Sequence, residues 1–344
     1  MDKIDQSFYL PPNLAVMVRE HSEGKEIGEH CGIDALAEIF AWKRGFVNCF
    51  TGWPNDGKST WFFFIALVKA MRDNWKWCIW SPEMISSHME KGKVLHSASD
   101  IYDDIIYMKT GKTPYKHMAK KYFIPQMTLD EYIAEVEWIA EHFFVIYPKN
   151  RTYKDLLGAY QFMYDKFGID GFLTDPFRAF KQDEAGRTDL AMDELFLQAK
   201  EFSIATRSSF NFIAHPKSQM DVKEKDGANK GRYKIVNQHM LAGGAAWDNA
   251  MDGIYSIYRP ERHLNVTDPK VHFINLKQRK AHLVAKRGVC DNITFDFLKN
   301  RYYFDGVCPI DGSLNAKKQK ENQTEAKPLH DPKPEVVDTD DLPF

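Results

Sequence analysis

The nine residues Gly52-Trp-Pro-Asn-Asp-Gly-Lys-Ser-Thr60 fit the spacing G-x-x-x-x-G-K-[ST]. In a loop of this kind successive backbone N–H groups cradle phosphates, the lysine reaches the outer phosphates and the following hydroxyl is placed on Mg²⁺. Gly52, Trp53, Pro54, Asn55, Asp56, Gly57, Lys58, Ser59 and Thr60 are therefore the candidate contacts for ATP, with Ser59 also a candidate magnesium ligand. The flanks agree with the motif. Phe46-Val-Asn-Cys-Phe-Thr51 is a short apolar run after Gly45, and Trp61 to Arg72 is an unbroken helical pattern, so the order is strand, loop, helix.

Working outward, the same alternation continues. Trp75 to Ser81 predicts a second buried strand ending in Pro82-Glu83-Met84, Phe143 to Tyr147 a third, Asp170 to Asp175 a fourth and Ser209 to Ala214 a fifth. Helices are predicted between them: Ser99 to Met108, Tyr115 to Tyr122, a segment opened at Thr128 and running through His142, Thr152 to Phe167, and Asp189 to Arg207. Thr128-Leu-Asp-Glu131 has the form of a capping box, in which the threonine oxygen and the glutamate carboxylate satisfy free helix N–H groups reciprocally. Before the phosphate loop, Asn13 to Glu20 and Gly32 to Trp42 also carry helical spacing. From Gly253 onward the pattern turns to β: Ile254 to Tyr258, Val271 to Leu276, Ile293 to Phe297 and Arg301 to Phe304. Alternating strands and helices imply an α/β fold, a mostly parallel sheet flanked by helices with a β-rich C-terminal part, in which ligands gather at the carboxyl ends of the strands. The domain reading is an arm or linker over 1–31, one ATPase domain over 32–306, and a polar, disordered, acidic-tipped tail over 307–344.

Composition narrows the class. A formal net charge of −2 excludes a generally basic nucleic-acid binder but leaves room for a local basic loop. Lys217 to Lys234 is such a segment, with six basic and three acidic residues and no apolar period, and it reads as exposed and mobile. The five cysteines are far apart without C-x-x-C spacing, which fits a reducing cytoplasm and neither a zinc site nor a disulfide framework. No leader-like segment and no apolar run of membrane-spanning length are present, so no membrane partner is expected.

Phosphoryl transfer to water needs a cradle, a metal held by a hydroxyl and a carboxylate, a group to orient the water, and positive charge for the transition state. Asp175, closing the strand Phe172-Leu-Thr, suits the metal. Glu83, just past the second strand, suits polarisation of the water. His215, after the fifth strand, suits contact with the terminal phosphate. Phe295 and Phe297 are candidates for stacking on the base.

Taken in order, T-G-W-P-N-D-G-K-S-T, W-S-P-E-M, F-L-T-D-P-F, F-I-A-H-P-K and I-N-L-K-Q-R resemble the hexameric replicative helicases of the DnaB and Twinkle type, including the helicase half of phage primase-helicases, over roughly residues 32–305. The resemblance implies a RecA-like core. It also implies Glu83 as catalytic carboxylate, Asp175 as the Walker B acid and His215 as phosphate sensor. Lys277-Gln-Arg279 is similar to the family's K-x-R, whose arginine enters the neighbouring subunit's nucleotide site, which implies a homo-oligomeric ring. Here Lys-Ala-His follows the arginine where the family commonly has a glycine-containing turn. Gln238 to Asp252 is similar to the family's channel loop. With Gly243 and Gly244 open to phosphates and Lys223, Lys225, Lys230, Arg232 and Lys234 just upstream, this region is the expected contact for single-stranded DNA, with 5′ to 3′ movement implied.

The last residues, including Asp340, Asp341, Leu342, Pro343 and Phe344, resemble the acidic tip of bacterial single-stranded DNA-binding proteins and imply replication partners that recognise a Pro-Phe end. The reading is thus an ATP-dependent helicase of bacterial or phage-like replication. A RecA-like recombinase or recombination-mediator ATPase is the alternative within the fold, and a non-catalytic loader acting through its tail is the alternative outside enzymes.

Overall fold

A computed structural model describes residues 13–90, 93–176, 188–217, 222–227 and 229–311. In chain order its elements are α1 (Leu14–Glu23), β1 (Glu29–His30), β2 (Ala41–Trp42), β3 (Val47–Thr51), α2 (Lys58–Asp73), β4 (Trp77–Trp80), β5 (Ser86–Glu90), β6 (Lys93–Ser97), α3 (Ser99–Thr110), α4 (Lys116–Tyr122), α5 (Leu129–His142), β7 (Phe143–Val145), α6 (Tyr153–Phe167), β8 (Gly171–Thr174), α7 (Thr188–Thr206), β9 (Ser209–Ala214), α8 (Gly244–Ala250), β10 (Gly253–Tyr258), β11 (Lys270–Gln278), β12 (Gly288–Asp296) and β13 (Arg301–Phe304). Nine strands form the main sheet in the order β13-β12-β11-β10-β3-β9-β8-β4-β7. The six from β10 to β7 are parallel and the rest antiparallel, so the fold is the expected α/β one with a β-rich C-terminal part.

Strict alternation divides each central strand between two cores. Trp77, Ile79, Phe50, Leu173 and Ile213 face the side covered by α2, α3 and α5. Cys78, Trp80, Cys49, Phe172 and Phe212 face the side covered by α6, α7 and α8. The helix after the phosphate loop is buried all round, Trp61 through Ala70 without a break, because it lies between the sheet and α3. The capping box at Thr128 forms as expected: Thr128 Oγ1 accepts from the Glu131 N–H at 3.2 Å, and the Thr128 N–H donates to Glu131 Oε2 at 2.9 Å.

Two expectations about local structure are corrected. Gly32 to Trp42 is not a helix; it makes one 3₁₀ turn, Asp34–Leu36, and then the strand β2 paired antiparallel with β1. Phe40 and Trp42 share a side in extended chain and both enter the core, Phe40 at 5.0 Å from Tyr255 and Trp42 at 5.0 Å from Trp77 between ring centroids. Burial of two aromatic rings outweighs the weak helix preference of so short a segment. The segment after β4 opens with a hairpin, β5 against β6, that no sequence pattern announced, before the expected α3 and α4.

Gly171 lies directly opposite Trp77 in the β4–β8 pair, and a Cβ there would stand 2.1 Å from the indole ring. Gly171→Ala is therefore expected to destabilise the chain by about 1–3 kcal/mol through overpacking. Trp77→Leu is itself destabilising because it empties core volume, but in its background Gly171→Ala should cost less Tm than it does alone, and a double variant as unstable as the sum of both changes would refute the clash.

Candidate nucleotide site and basic loop

The phosphate loop begins where β3 ends. Thr51 donates its hydroxyl to Ala214 O at 2.9 Å, fixing the end of β3 against β9. The chain then turns at Gly52 with φ 154, where a Cβ would lie 2.4 Å from Ile257 O of β10, and Gly57 starts α2 with φ 84. These two positions explain the two glycines of the motif: one for close backbone approach, one for a left-handed turn. Asp56 closes the loop from inside, accepting the Trp53 N–H at 3.0 Å and the Arg262 guanidinium at 2.6 Å. Burial pushes the Asp56 carboxyl up while Arg262 pulls it down. Lys58 is 5% exposed and donates to Trp53 O at 3.0 Å. Burial lowers its pKa to about 8, with Asp56 and Asp175 acting the other way.

The acids stand on neighbouring strand ends. Register Trp80↔Thr174 sets Ser81 beside Asp175, just past β4 and β8. Ser59 donates to Asp175 Oδ2 at 2.6 Å and Ser81 to the same oxygen at 3.4 Å. Burial raises the Asp175 carboxyl to about 6 despite the hydrogen bond from Ser59, and the charge of Glu83 adds to the rise. A hydroxyl and a buried carboxylate that meet next to a second acid fit the donor set for magnesium, with Ser59 and Asp175 as the residues that would hold it. Magnesium bound there supplies positive charge to phosphate oxygens. Glu83 is exposed in the turn closed by Met84 N–H to Ser81 O at 3.1 Å. His215 follows Ala214, which pairs with Thr51, so it stands half-buried beside the start of the loop. The structure thus brings Lys58, Ser59, Asp175, Glu83 and His215 to one edge of the sheet.

Arg279 and Lys277 lie at the opposite edge. Asp252, at the start of β10, accepts the Val47 N–H at 2.8 Å and Lys200 Nζ at 2.6 Å, and its other oxygen lies 3.5 Å from Arg279. Arg279 also donates to Asn249 O, and its own N–H donates to Asp252 O at 2.7 Å. Lys277 pairs with Asp248 at 3.8 Å, and burial lowers its pKa. The length of β3, about 16 Å, separates this cluster from the phosphate loop. Within one chain, therefore, Arg279 does not reach the nucleotide loop. Arg279 and Lys280 line a cleft of about 660 Å³ with Lys43, Arg44, Lys200 and Arg207, against the acids Glu26 and Asp252. Lys280 takes φ 51, so the turn after the arginine keeps a left-handed conformation in lysine rather than glycine.

The basic loop carries backbone pairing that its composition does not announce. Its described part is a hairpin, with Glu224 N–H to Arg232 O at 2.8 Å and Lys234 N–H to Val222 O at 2.9 Å, and its root is closed by Lys217 N–H to Met240 O at 2.9 Å. Lys223, Lys225 and Lys230 are exposed; Arg232 is half-buried and paired with Glu261 at 3.2 Å. The Trp53 indole donates to Lys234 O at 2.7 Å, which ties the phosphate loop to this hairpin. Gly243, at φ 71, would place a Cβ 2.7 Å from Met192, and Gly244 one 2.8 Å from Gln238 O, so both glycines are needed for packing at the start of α8. Phe295 packs on Tyr302 at 4.7 Å, whereas Phe297 is half exposed under the Arg259 guanidinium at 5.2 Å. The tip residues Asp340 to Phe344 lie outside the described residues. Sequence reasoning missed the roles of Arg262, Asp252 and Ser81: Arg262 sits in no recognisable motif, while Ser81 lies in W-S-P-E-M and Asp252 closes the segment from Gln238, where neither was singled out.

No family model matches the chain, and no curated protein matches it by sequence. Solved structures do match in shape. A solved ATPase domain is similar with TM-score 0.63 at 14% identity, over 84% of this chain and 96% of that one. A DnaB-like replicative helicase, described with its interactions with primase, is similar with TM-score 0.61 at 13% identity, over 84% of this chain and 65% of that one. The chain has the RecA-like fold of helicase ATPase domains.

Two variants test the site. Arg262→Met leaves Asp56 buried without its cation and should cost about 3–5 kcal/mol; adding Asp56→Asn should restore most of it, and a double variant no better than Arg262→Met would refute the pairing. Asp175→Asn removes a buried charge while keeping an acceptor for Ser59. It should raise stability by about 1–3 kcal/mol in metal-free buffer, and a lowered Tm would contradict the assigned burial penalty.

Proposed function

We propose that this chain is an ATP-hydrolysing helicase motor that moves along single-stranded DNA in replication, with each nucleotide site completed by the next subunit of a ring. The observation that carries the reading is the connection between the two functional regions: the hairpin bearing Lys223, Lys225 and Lys230 is rooted directly after His215 and held by Trp53 of the phosphate loop. A change at the phosphates therefore has a short covalent and hydrogen-bonded route to the DNA-facing lysines.

In this mechanism the loop N–H groups and Lys58 bind the phosphates of ATP, Ser59 and Asp175 hold magnesium, and Glu83 orients and deprotonates the attacking water. His215 reads the presence of the terminal phosphate. Arg279, far from the phosphate loop of its own chain and oriented by Asp252, acts on the loop of a neighbour, where a guanidinium at the transition state is worth roughly 10³–10⁵ in rate. The acidic tip would recruit replication proteins that recognise a Pro-Phe end.

The experiment is unwinding of a forked duplex by the wild type, by Lys58→Ala, by Arg279→Ala and by an equal mixture of the two variants. The wild type should unwind with ATP hydrolysis, each variant should lose activity by at least a hundredfold, and the mixture should regain a measurable part of it. Mixed rings contain interfaces where an intact loop meets an intact arginine. A wild type that does not hydrolyse ATP would overturn the enzyme reading, and a mixture without recovery would overturn the shared site.

A further inference from the structure

Lys109 to Leu129 contains five lysines and one histidine and no acidic residue. Part of this charge is consumed internally. Lys109 pairs with Glu135 and Lys112 with Glu131 at 2.5 Å, both on α5. Tyr115 donates to Asp103, which also accepts from Tyr132 at 2.9 Å. The chain on either side of α4 is clamped together, Thr113 N–H to Pro125 O at 3.0 Å and Met127 N–H to Thr113 O at 2.9 Å. The result is a closed knuckle, held to α3 and α5 at its base.

What the knuckle presents outward is a different set. Lys116, Lys120 and Lys121 are exposed and have no acidic partner among the described residues. Tyr122 is exposed, with the Lys121 ammonium 4.9 Å from its ring. Phe123 is 94% exposed and sits at the end of α4 with φ 54, a left-handed conformation that a β-carbon disfavours. Its backbone is nonetheless fixed, because the Phe123 N–H bonds to Ala119 O as the helix cap and Ile124 N–H bonds to the same oxygen at 3.2 Å. An aromatic ring held almost wholly in water, on a strained but hydrogen-bonded turn, next to three lysines without an acidic partner among the described residues, has no use in the core of this chain.

We propose that this knuckle is a second contact for single-stranded nucleic acid, distinct from the hairpin at 222–234, with Tyr122 and Phe123 as stacking platforms and Lys116, Lys120 and Lys121 on the phosphates. Single-stranded binding combines these two elements, cations that follow the backbone and aromatic faces that accept any base. Of the acids around the base of the knuckle, Glu131 and Glu135 are neutralised by Lys112 and Lys109, while Asp103, bonded to two tyrosine hydroxyls, keeps its charge beside Asp100 and Asp104 on α3. The site lies beside β13, where Arg301 binds the Met108 and Lys109 carbonyls, and it uses no residue of the nucleotide site. The inference therefore extends the motor reading without depending on ATP hydrolysis.

The test uses the full chain and a fluorescein-labelled dT20, without nucleotide, in a background carrying Lys223→Gln, Lys225→Gln and Lys230→Gln so that the hairpin contributes little. Binding by anisotropy should persist in that background. Phe123→Ala should then weaken it roughly 5- to 100-fold, and Lys120→Gln with Lys121→Gln should flatten the log–log salt dependence by about 0.7 for each phosphate contact removed. Ultraviolet crosslinking of dT20 should place an adduct on the peptide containing Tyr122 and Phe123. Basal ATP hydrolysis and Tm should be unchanged in Phe123→Ala, because the residue is exposed and outside the nucleotide site. An absent adduct together with unaltered affinity in Phe123→Ala would overturn the proposal. So would binding of an acidic peptide copying residues 331–344 at the knuckle with no binding of dT20, which would make it a docking site for acidic protein segments. A wild type that crosslinks but does not hydrolyse ATP would leave this site standing and remove only the motor reading.

Discussion

The parallel pairing of β3 between β9 and β10 constrains everything else in the molecule. Because Thr51 is bonded to Ala214 on one side and Gly52 passes within contact distance of Ile257 O on the other, the phosphate loop leaves the sheet at one place and in one direction. The helix α2, buried all round with Lys69 paired to Glu29 and Asp73, then fixes the far end of the loop, since Trp61 through Ala70 can be buried only if Lys58 starts the helix where it does. A loop with two glycines and a buried carboxylate is thereby held by hydrophobic burial on both flanks, and that carboxylate, Asp56, is paired with Arg262 within electrostatic reach of Lys58.

The two ends of the same parallel strands carry different chemistry. At the carboxyl ends, the buried Asp175 accepts from Ser59 and lies within electrostatic reach of Glu83 and the buried Lys58. At the amino ends, Lys43, Arg44, Lys200, Arg207, Arg279 and Lys280 line a cleft with Glu26 and Asp252, and Arg44 is further paired with Glu29 and Asp170. Asp252 matters here as a positioning residue: it is held by the Val47 N–H and Lys200 and in turn orients Arg279.

Much of this was legible in advance where the chain obeys a strong local rule. The phosphate loop, the capping box at Thr128 and the strand ends at Asp175 and Ala214 were readable because each depends on a fixed spacing or a sharp change of hydrophobic period. Residues 32–42 were misread as helix because Phe40 and Trp42 are placed by aromatic partners from β3, β4 and β10, which no local window contains. The β5–β6 hairpin has the weak signal of a mostly exposed ribbon, with no buried face to impose alternation. The pairing within the basic loop was not legible, since it rests on backbone bonds and on Trp53, far away in sequence.

By itself the sequence determined the class of fold, the phosphate loop with Lys58 and Ser59, and the candidate acids Glu83 and Asp175, because spacing along one chain suffices to define a turn, a cap or a strand end. Only the tertiary structure decided which of these residues meet. It placed Asp175 on Ser59, set Arg262 into Asp56, put Arg279 at the far edge beside Asp252, and held Phe123 out in water. Those relations depend on strand order and on which helices cover which face, and such contacts join residues tens to hundreds of positions apart that local pattern cannot connect.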